Sequence, residues 1–207
     1  MNFQFAQIKR PKPFIPHHHE PEPKDWSLLA DFPKVEYLVV EVGCGKGDWI
    51  VNEAHTHPHR FYIGIERTLT KSQDLLAKAR QHTASNLIVL RADAVAVMAQ
   101  KFPDETVDEL IFFYPNPTPK KRQANQRFFV GAQFEVFDRS LKTHAILLLA
   151  TNIKAYLDEA ECFLKQVWGY HILSCGPLET AHIPRSAFEK KYHARGDVLF
   201  ELIAQKP

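Results

Sequence analysis

Three cysteines in 207 residues, Cys44, Cys162 and Cys175, are too few for a disulfide framework and point to a reducing compartment. No apolar run approaches the roughly 20 residues that a membrane helix needs. The opening MNFQFAQIKRPKPF lacks the long apolar core of a signal peptide. Charge of one sign is scarce as well: 26 basic against 24 acidic residues leave a formal net charge of +2. Bulk charge therefore makes no case for nucleic acid, and the placing of the cations has to decide. No internal repeat occurs, and low complexity is confined to the proline-rich start. These absences leave a cytoplasmic globular protein with one core, which this chain length supports.

Residues 1–35 hold prolines at 11, 13, 16, 21, 23 and 33. Proline fixes φ and lacks a donor, so this segment is expected to be an extended or partly disordered arm. Its Lys9, Arg10 and Lys12 put three cations on the arm. His17, His18 and His19 read as a solvated polar run rather than a metal site. Residues 36–207 are expected to form the single domain. Strands are predicted at 37–42, 61–65, 87–90, 107–114, 145–150, 170–174 and 198–204. Helices are predicted at 48–55, 70–82, 94–101, 126–141 and 153–168. Such alternation gives a parallel sheet, and near-continuous apolar strands fit burial on both faces. The last two strands lack a clear crossover helix between them, which predicts antiparallel pairing at the sheet edge.

The strongest local signal is VVEVGCGKGDWIV. A strand runs into Gly43, Gly45 and Gly47, and a helix opens at Asp48. Glycines let the backbone turn sharply and approach a ligand closely. The spacing is G-x-G-x-G, not the G-x-G-x-x-G of dinucleotide sites. Glu41, two residues ahead of the first glycine, would repel a pyrophosphate but suits a ligand carrying an amino group or a cation. S-adenosylmethionine carries both and no phosphate. Glu66 ends the second strand in GIER, where it would accept from both ribose hydroxyls. Asp93 ends the third in LRADAV, where adenine would lie. Acids at the carboxyl ends of three successive strands line one crevice.

A second signal is FFYPNPTPKKRQANQRFF. The apolar run stops at Pro115, and Asn116 is held between Pro115 and Pro117, both of which restrict its backbone. The strand therefore ends abruptly, with one polar side chain held at its carboxyl end. Lys120, Lys121, Arg122 and Arg127 follow as candidate phosphate contacts. Arg185, Lys190, Lys191, His193 and Arg195 form a second basic segment. Cys44 reads as a small residue that fits the glycine loop, and His55, His57 and His59 match no metal-ligand spacing.

These stretches resemble the tRNA (guanine-N7)-methyltransferases, a family of class I S-adenosylmethionine-dependent enzymes. EVGCGKGDW, FYIGIE and NLIVLRADA are shared with many methyltransferases. FFYPNP with its basic follow-on, LLLATN and SAFEKKYHARGDVLFEL are more specific. The resemblance implies an α/β, Rossmann-like fold: a seven-stranded, mostly parallel sheet with an antiparallel edge and helices on both faces. It implies methyl transfer from S-adenosylmethionine to N7 of a tRNA guanine. Apart from the resemblance, no metal and no membrane partner are expected, and a monomer or homodimer is. The resemblance places the cofactor on Glu41, Gly43, Gly45, Gly47, Glu66, Asp93 and Asn116. It places the substrate near Asn152, Ser186, Phe188 and Glu189, beside Lys120, Arg122 and Arg127.

Two positions depart from the family pattern. Asn116 stands where the family has the Asp of Pro-Asp-Pro, and Asn152 stands where it has the Asp of Ala-Thr-Asp. Each keeps size and hydrogen-bonding reach but loses the charge. N7 of guanine has a free lone pair and needs no deprotonation, so slower catalysis or a shifted substrate is expected rather than inactivity. A non-catalytic RNA-binding relative and a methyltransferase for another base or a small molecule are the alternatives. A nicotinamide oxidoreductase fails on the glycine spacing and on Glu41.

Overall fold

A computed structural model describes residues 2–15, 34–179 and 181–207. The histidines at 17–19 lie outside the described residues. Among the described residues fourteen elements follow one another. They run β1 Leu38–Val42, α1 Asp48–Thr56, β2 Phe61–Ile65, α2 Leu69–Gln81, β3 Leu87–Leu90, α3 Ala94–Lys101 and β4 Val107–Phe113. A 3-10 turn at Lys121–Gln126 follows. Then come α4 Phe134–Ser140, β5 Leu141–Thr151, α5 Lys154–Gln166, β6 His171–Pro177, α6 Ala187–Ala194 and β7 Phe200–Gln205.

The strands make one seven-stranded sheet in the order β3-β2-β1-β4-β5-β7-β6. β1 to β5 are parallel, while β7 pairs antiparallel with both β5 and β6. The chain builds outward from β1 on one side and then restarts at β4 on the other. That reversal opens a crevice beyond the carboxyl ends of β1 and β4, where open α/β sheets bind ligands. Gly43 and Asn116 follow those two ends.

Residues alternate between the two faces of β1. Leu38, Val40 and Val42 join the larger core with Leu110, Phe112, Phe129, Phe134 and Phe137. Val39 joins the smaller core under α1 and α2, with Ile50, Val51 and Leu75. Glu41 shares the parity of Val39, so a carboxylate points to the α1 face of a fully buried strand.

Two predicted elements differ from the structure. Of the helix expected over 126–141, only α4 at Phe134–Ser140 is helical, and the 3-10 turn already ends at Gln126. Arg127 leaves the helical conformation at φ −75°, ψ 133°, and its side chain turns inward. A Cβ on Gly131 would stand 2.2 Å from the Asn125 carbonyl oxygen, so close backbone packing interrupts the segment there. The loop expected between the last two strands contains α6. The edge pairing is antiparallel as predicted, but the connection is partly helical.

Residues 2–15 lie along the body. The Ala6 amide donates to Glu159 Oε1 at 2.6 Å, and the Phe14 amide to Glu135 Oε2 at 2.8 Å. The Gln4 amide donates to the Pro119 carbonyl at 3.0 Å, and Gln4 Oε1 accepts from the Lys121 amide at 3.0 Å. The Arg10 guanidinium sits 5.0 Å from the Trp168 ring centroid, a cation–π position.

Candidate active site

The glycine loop is held to β2. The Gly43 and Cys44 amides donate to the Ile65 carbonyl at 2.8 and 3.2 Å. Gly43, Gly45 and Gly47 all have left-handed φ, at 76°, 58° and 73°, which side chains rarely adopt. Gly47 is constrained twice, because an added Cβ would lie 2.0 Å from Leu75 Cδ1. Cys44 is buried in this loop, and burial raises its thiol well above the ordinary value. A neutral buried thiol is inert packing rather than a nucleophile.

Three adjoining cavities share Gly43 on their walls. One, of about 590 Å³, runs past Glu66, Asp93 and Asn116. A second, of about 620 Å³, lies between Glu66, Asn116, Asn152 and Phe188. The third, of about 230 Å³, is walled by Glu41, Trp49, Phe113, Ser186, Phe188 and Lys191. The sheet order thus brings these residues, from six separate stretches, to one crevice.

The three acids differ in how much of each carboxylate is free. Glu41 is 2% exposed, and its Oε2 has no hydrogen-bond partner among the described residues. Burial, followed by the charges of Asp48 and Glu66, pushes its carboxyl up to about 8. An unsatisfied buried acceptor is costly, so this oxygen is prepared for a donor from a ligand. Glu66 braces the loop, accepting from the Gly45 amide at 2.9 Å and the Thr68 amide at 2.7 Å. Asp93 caps α3 through Oδ1, which accepts from the Val95 and Ala96 amides at 3.0 and 3.3 Å. Its Oδ2 is 3.9 Å from Arg67 Nη1. Glu66 and Asp93 therefore shape the crevice as well as facing it.

Beyond β4 the backbone is strained. Tyr114 and Thr118, on either side of Pro115–Pro117, have φ of 51° and 38°. Non-glycine residues in this region cost about 1–3 kcal/mol each and persist where surroundings enforce them. Here the enforcers are visible. The Tyr114 hydroxyl donates to Glu189 Oε1 at 3.2 Å. The Thr118 carbonyl accepts from Arg127 Nε and Nη2 at 3.1 and 3.0 Å. Asn116 is exposed on both larger cavities, and its Oδ1 accepts from the Thr118 amide at 3.1 Å. Its Nδ2 has no hydrogen-bond partner among the described residues.

Arg127 is not a phosphate contact. It is 0% exposed, and its Nη1 donates to both Glu159 oxygens at 2.6 and 2.7 Å. Its Nη2 also reaches the carbonyls of Gln4 and Pro119 at 3.0 and 3.1 Å. The group therefore ties the arm, the post-β4 loop and α5 together, and has no face left for RNA. Lys120, Lys121 and Arg122 are exposed and pair with no acid among the described residues.

Glu189 is also corrected. It is fully buried and lines none of the three cavities. Its Oε2 accepts from the Arg185 amide at 2.5 Å and its Oε1 from Arg185 Nη2 at 2.9 Å. Burial alone would raise this carboxyl, but the hydrogen bonds from Arg185 hold it below the ordinary value. It anchors α6 and Tyr114 rather than touching substrate. Arg185, which also donates to Glu201 Oε2 at 2.5 Å, is likewise committed inside the protein.

Ser186 caps α6 by accepting from the Glu189 amide at 3.2 Å, and it lines the smallest cavity. Phe188 is 39% exposed, lies parallel to Tyr192 with centroids 6.2 Å apart, and borders two cavities. The ring is exposed at the crevice rather than packed in either core. Asn152 lines the second cavity and donates through Nδ2 to Asp197 Oδ2 at 2.9 Å. Sequence reasoning passed over Asp197 entirely.

The solved 16S rRNA methyltransferase KamB shares the architecture, with a TM-score of 0.63 at 18% identity, over 91% of this chain and 95% of that one. Fold, glycine loop and carboxyl-end crevice together define a class I methyltransferase. The family model described as "Putative methyltransferase" matches residues 35–202. The tRNA (guanine-N(7)-)-methyltransferase of Chromohalobacter salexigens is 33% identical over 84% of this chain and 71% of its own length. That of Pectobacterium atrosepticum is 32% identical over 92% and 82%. The chain belongs to the tRNA (guanine-N7)-methyltransferase family.

Proposed function

We propose that the protein transfers a methyl group from S-adenosylmethionine to N7 of a guanine in tRNA, in the cytoplasm. The observation that carries the donor assignment is the unpartnered Oε2 of Glu41 in the smallest cavity. An α-ammonium group satisfies that oxygen, and Lys191 on the same wall suits the donor's carboxylate. Gly43, Gly45 and Gly47 allow close backbone approach. Glu66 retains lone pairs for the ribose hydroxyls, and Asp93 faces the adenine. The relatives' names supply the substrate class.

The bound donor supplies an electrophilic methyl on a sulfonium. The guanine N7 lone pair forms the new N–CH₃ bond while the C–S electron pair stays on sulfur, so positive charge moves onto the base and no proton is taken up. What the protein must supply is alignment of N7 with the methyl. Phe188 offers a ring for the base to stack on. Asn116, fixed by its two prolines and by the Thr118 amide, presents a polar edge beside it. An amide stabilises the cationic product less than a carboxylate would, because charge-assisted bonds are about twice as strong as neutral ones. A low turnover follows, not an inert protein.

Lys120, Lys121 and Arg122 are the free cations nearest Asn116 along the chain, and they are assigned to tRNA phosphates. Replacing all three by alanine is expected to weaken tRNA binding and lower the slope of log affinity against log salt by about one unit per cation lost. Fluorescence titrations at several salt concentrations read this directly. A slope the same as the wild type's would remove the segment from the interface. Nucleoside analysis of methylated bulk tRNA tests the reaction itself, and a methylated nucleoside other than 7-methylguanosine would overturn the N7 assignment.

A further inference from the structure

Asn152 is an amide where the family pattern has a carboxylate, and an amide can face a substrate with either end. Its orientation here is decided by a residue from the far side of α6. Asn152 Nδ2 donates to Asp197 Oδ2 at 2.9 Å, and no described residue donates to Asn152 Oδ1. Asp197 is itself fixed. Arg195 Nε donates to its Oδ1 at 3.0 Å, and Arg195 Nη2 pairs with its Oδ2. The Arg195 guanidinium rests 5.0 Å from the centroid of Tyr192, and Tyr192 in turn packs against Tyr114 at 5.3 Å. Those hydrogen bonds, from Arg195 first and Asn152 second, hold the Asp197 carboxyl below its ordinary value. It is an anion at neutral pH and can only accept.

We propose that Asp197 is a positioning residue for guanine recognition: by accepting from Asn152 Nδ2, it holds Asn152 Oδ1 toward the second cavity as an acceptor for the base's N1–H. The proposal rests on the tRNA-guanine reading given above. A carboxylate at 152 would present an acceptor whichever way it rotated. An amide does so only when its NH₂ is engaged elsewhere, and Asp197 engages it. The donor pattern of the base makes the orientation selective. Guanine carries a donor at N1, whereas adenine has an acceptor there. Asn152 Oδ1 therefore attracts the first and repels the second, and a flipped amide would reverse the preference.

A four-protein comparison tests this: wild type, Asp197→Ala, Asn152→Asp, and the double variant. The readouts are kcat/KM for tRNA and the affinity for S-adenosylhomocysteine. Asp197→Ala is expected to lower kcat/KM about ten-fold, the cost of a lost recognition bond. Asn152→Asp in the wild type sets two carboxylates within hydrogen-bonding distance and is expected to lower it by a similar factor. In the Asp197→Ala background the same substitution is expected to restore activity to within about three-fold of wild type, because a carboxylate needs no orienting partner. S-adenosylhomocysteine affinity should stay at the wild-type value throughout, whereas general disorder of α6 would lower it through Ser186 and Phe188. Asp197→Asn keeps an accepting oxygen and should retain more activity than Asp197→Ala. It also serves as the test should the alanine variant fail to fold. Asn152→Asp losing the same factor in both backgrounds, or Asp197→Ala and Asp197→Asn both leaving kcat/KM unchanged, overturns the inference alone. Absence of 7-methylguanosine from the wild-type reaction overturns it together with the reading beneath it.

Discussion

Arg127→Ala is expected to cost about 3–5 kcal/mol of stability, because it leaves the Glu159 carboxylate buried without a countercharge. Both partners are within 1% of full burial. Five carbonyl and carboxylate acceptors, on the arm, the post-β4 loop and α5, depend on this one guanidinium. For a domain of this size about 1 kcal/mol moves the midpoint by about 2–4 °C, so a drop of roughly 6–20 °C is expected in a thermal melt. The double variant Arg127→Met, Glu159→Met should recover most of it, since a buried pair exchanged for apolar side chains of similar volume is often near neutral. Donor binding should be retained in the double variant while tRNA methylation falls, because the loop carrying Asn116 loses its tie to the arm. An Arg127→Ala protein with wild-type stability and weakened tRNA binding would mean that the residue faces phosphate after all.

Glu41→Gln is expected to weaken S-adenosylhomocysteine binding by about 10–100-fold, the range of a charge-assisted hydrogen bond worth about 1.5–3 kcal/mol. The pH dependence gives a sharper signature. With its carboxyl raised to about 8, Glu41 is protonated at pH 7 in the free protein, and it must lose that proton to pair with an ammonium. Binding therefore releases a proton, and affinity should rise as pH goes from 6 to 7.5, by at most about ten-fold per unit. Stability has the opposite sign. A carboxyl raised in the folded state stabilises the fold fully below its unfolded value of 4.5, and that contribution is lost as pH rises through about 8. The ligand-free wild type should therefore lose stability over this window, and the Gln variant should lose less. Calorimetry in two buffers of different ionisation enthalpy counts the protons. A pH-flat affinity in the wild type would remove Glu41 from the donor site.

The elements that sequence periodicity located well are those whose patterning is local. β2, β3 and α3 have the bounds that the apolar runs and flanking breakers set. The glycine loop and the three strand-end acids also came together as their spacing required, since a parallel sheet places successive carboxyl ends on one edge. Failures occurred where a distant partner decides. Arg127 sits in a run of cations and reads as solvated, yet Glu159, 32 residues on, draws it inside. Nothing in RQANQRFF announces that partner. Glu189 has one such distant partner in Tyr114, 75 residues earlier, although Arg185, four residues away, was within reach of a local reading. α6 was legible in principle. Ser186 followed three residues later by Glu189 is a helix-start pattern, and Ser186 does cap that helix. Asp197 could not be found by spacing, because its meaning depends on Asn152, 45 residues earlier and brought close only by the β5–β7 pairing.

We propose that this chain methylates guanine N7 with an amide, not a carboxylate, at position 116. The most direct test is single-turnover transfer from labelled S-adenosylmethionine to bulk tRNA, with nucleoside analysis, for the wild type beside Asn116→Asp. Both proteins are expected to yield 7-methylguanosine, the wild type more slowly. Product from Asn116→Asp alone, with the wild type binding donor and tRNA but transferring nothing, would contradict it and make the natural protein an RNA binder that has kept a methyltransferase's fold.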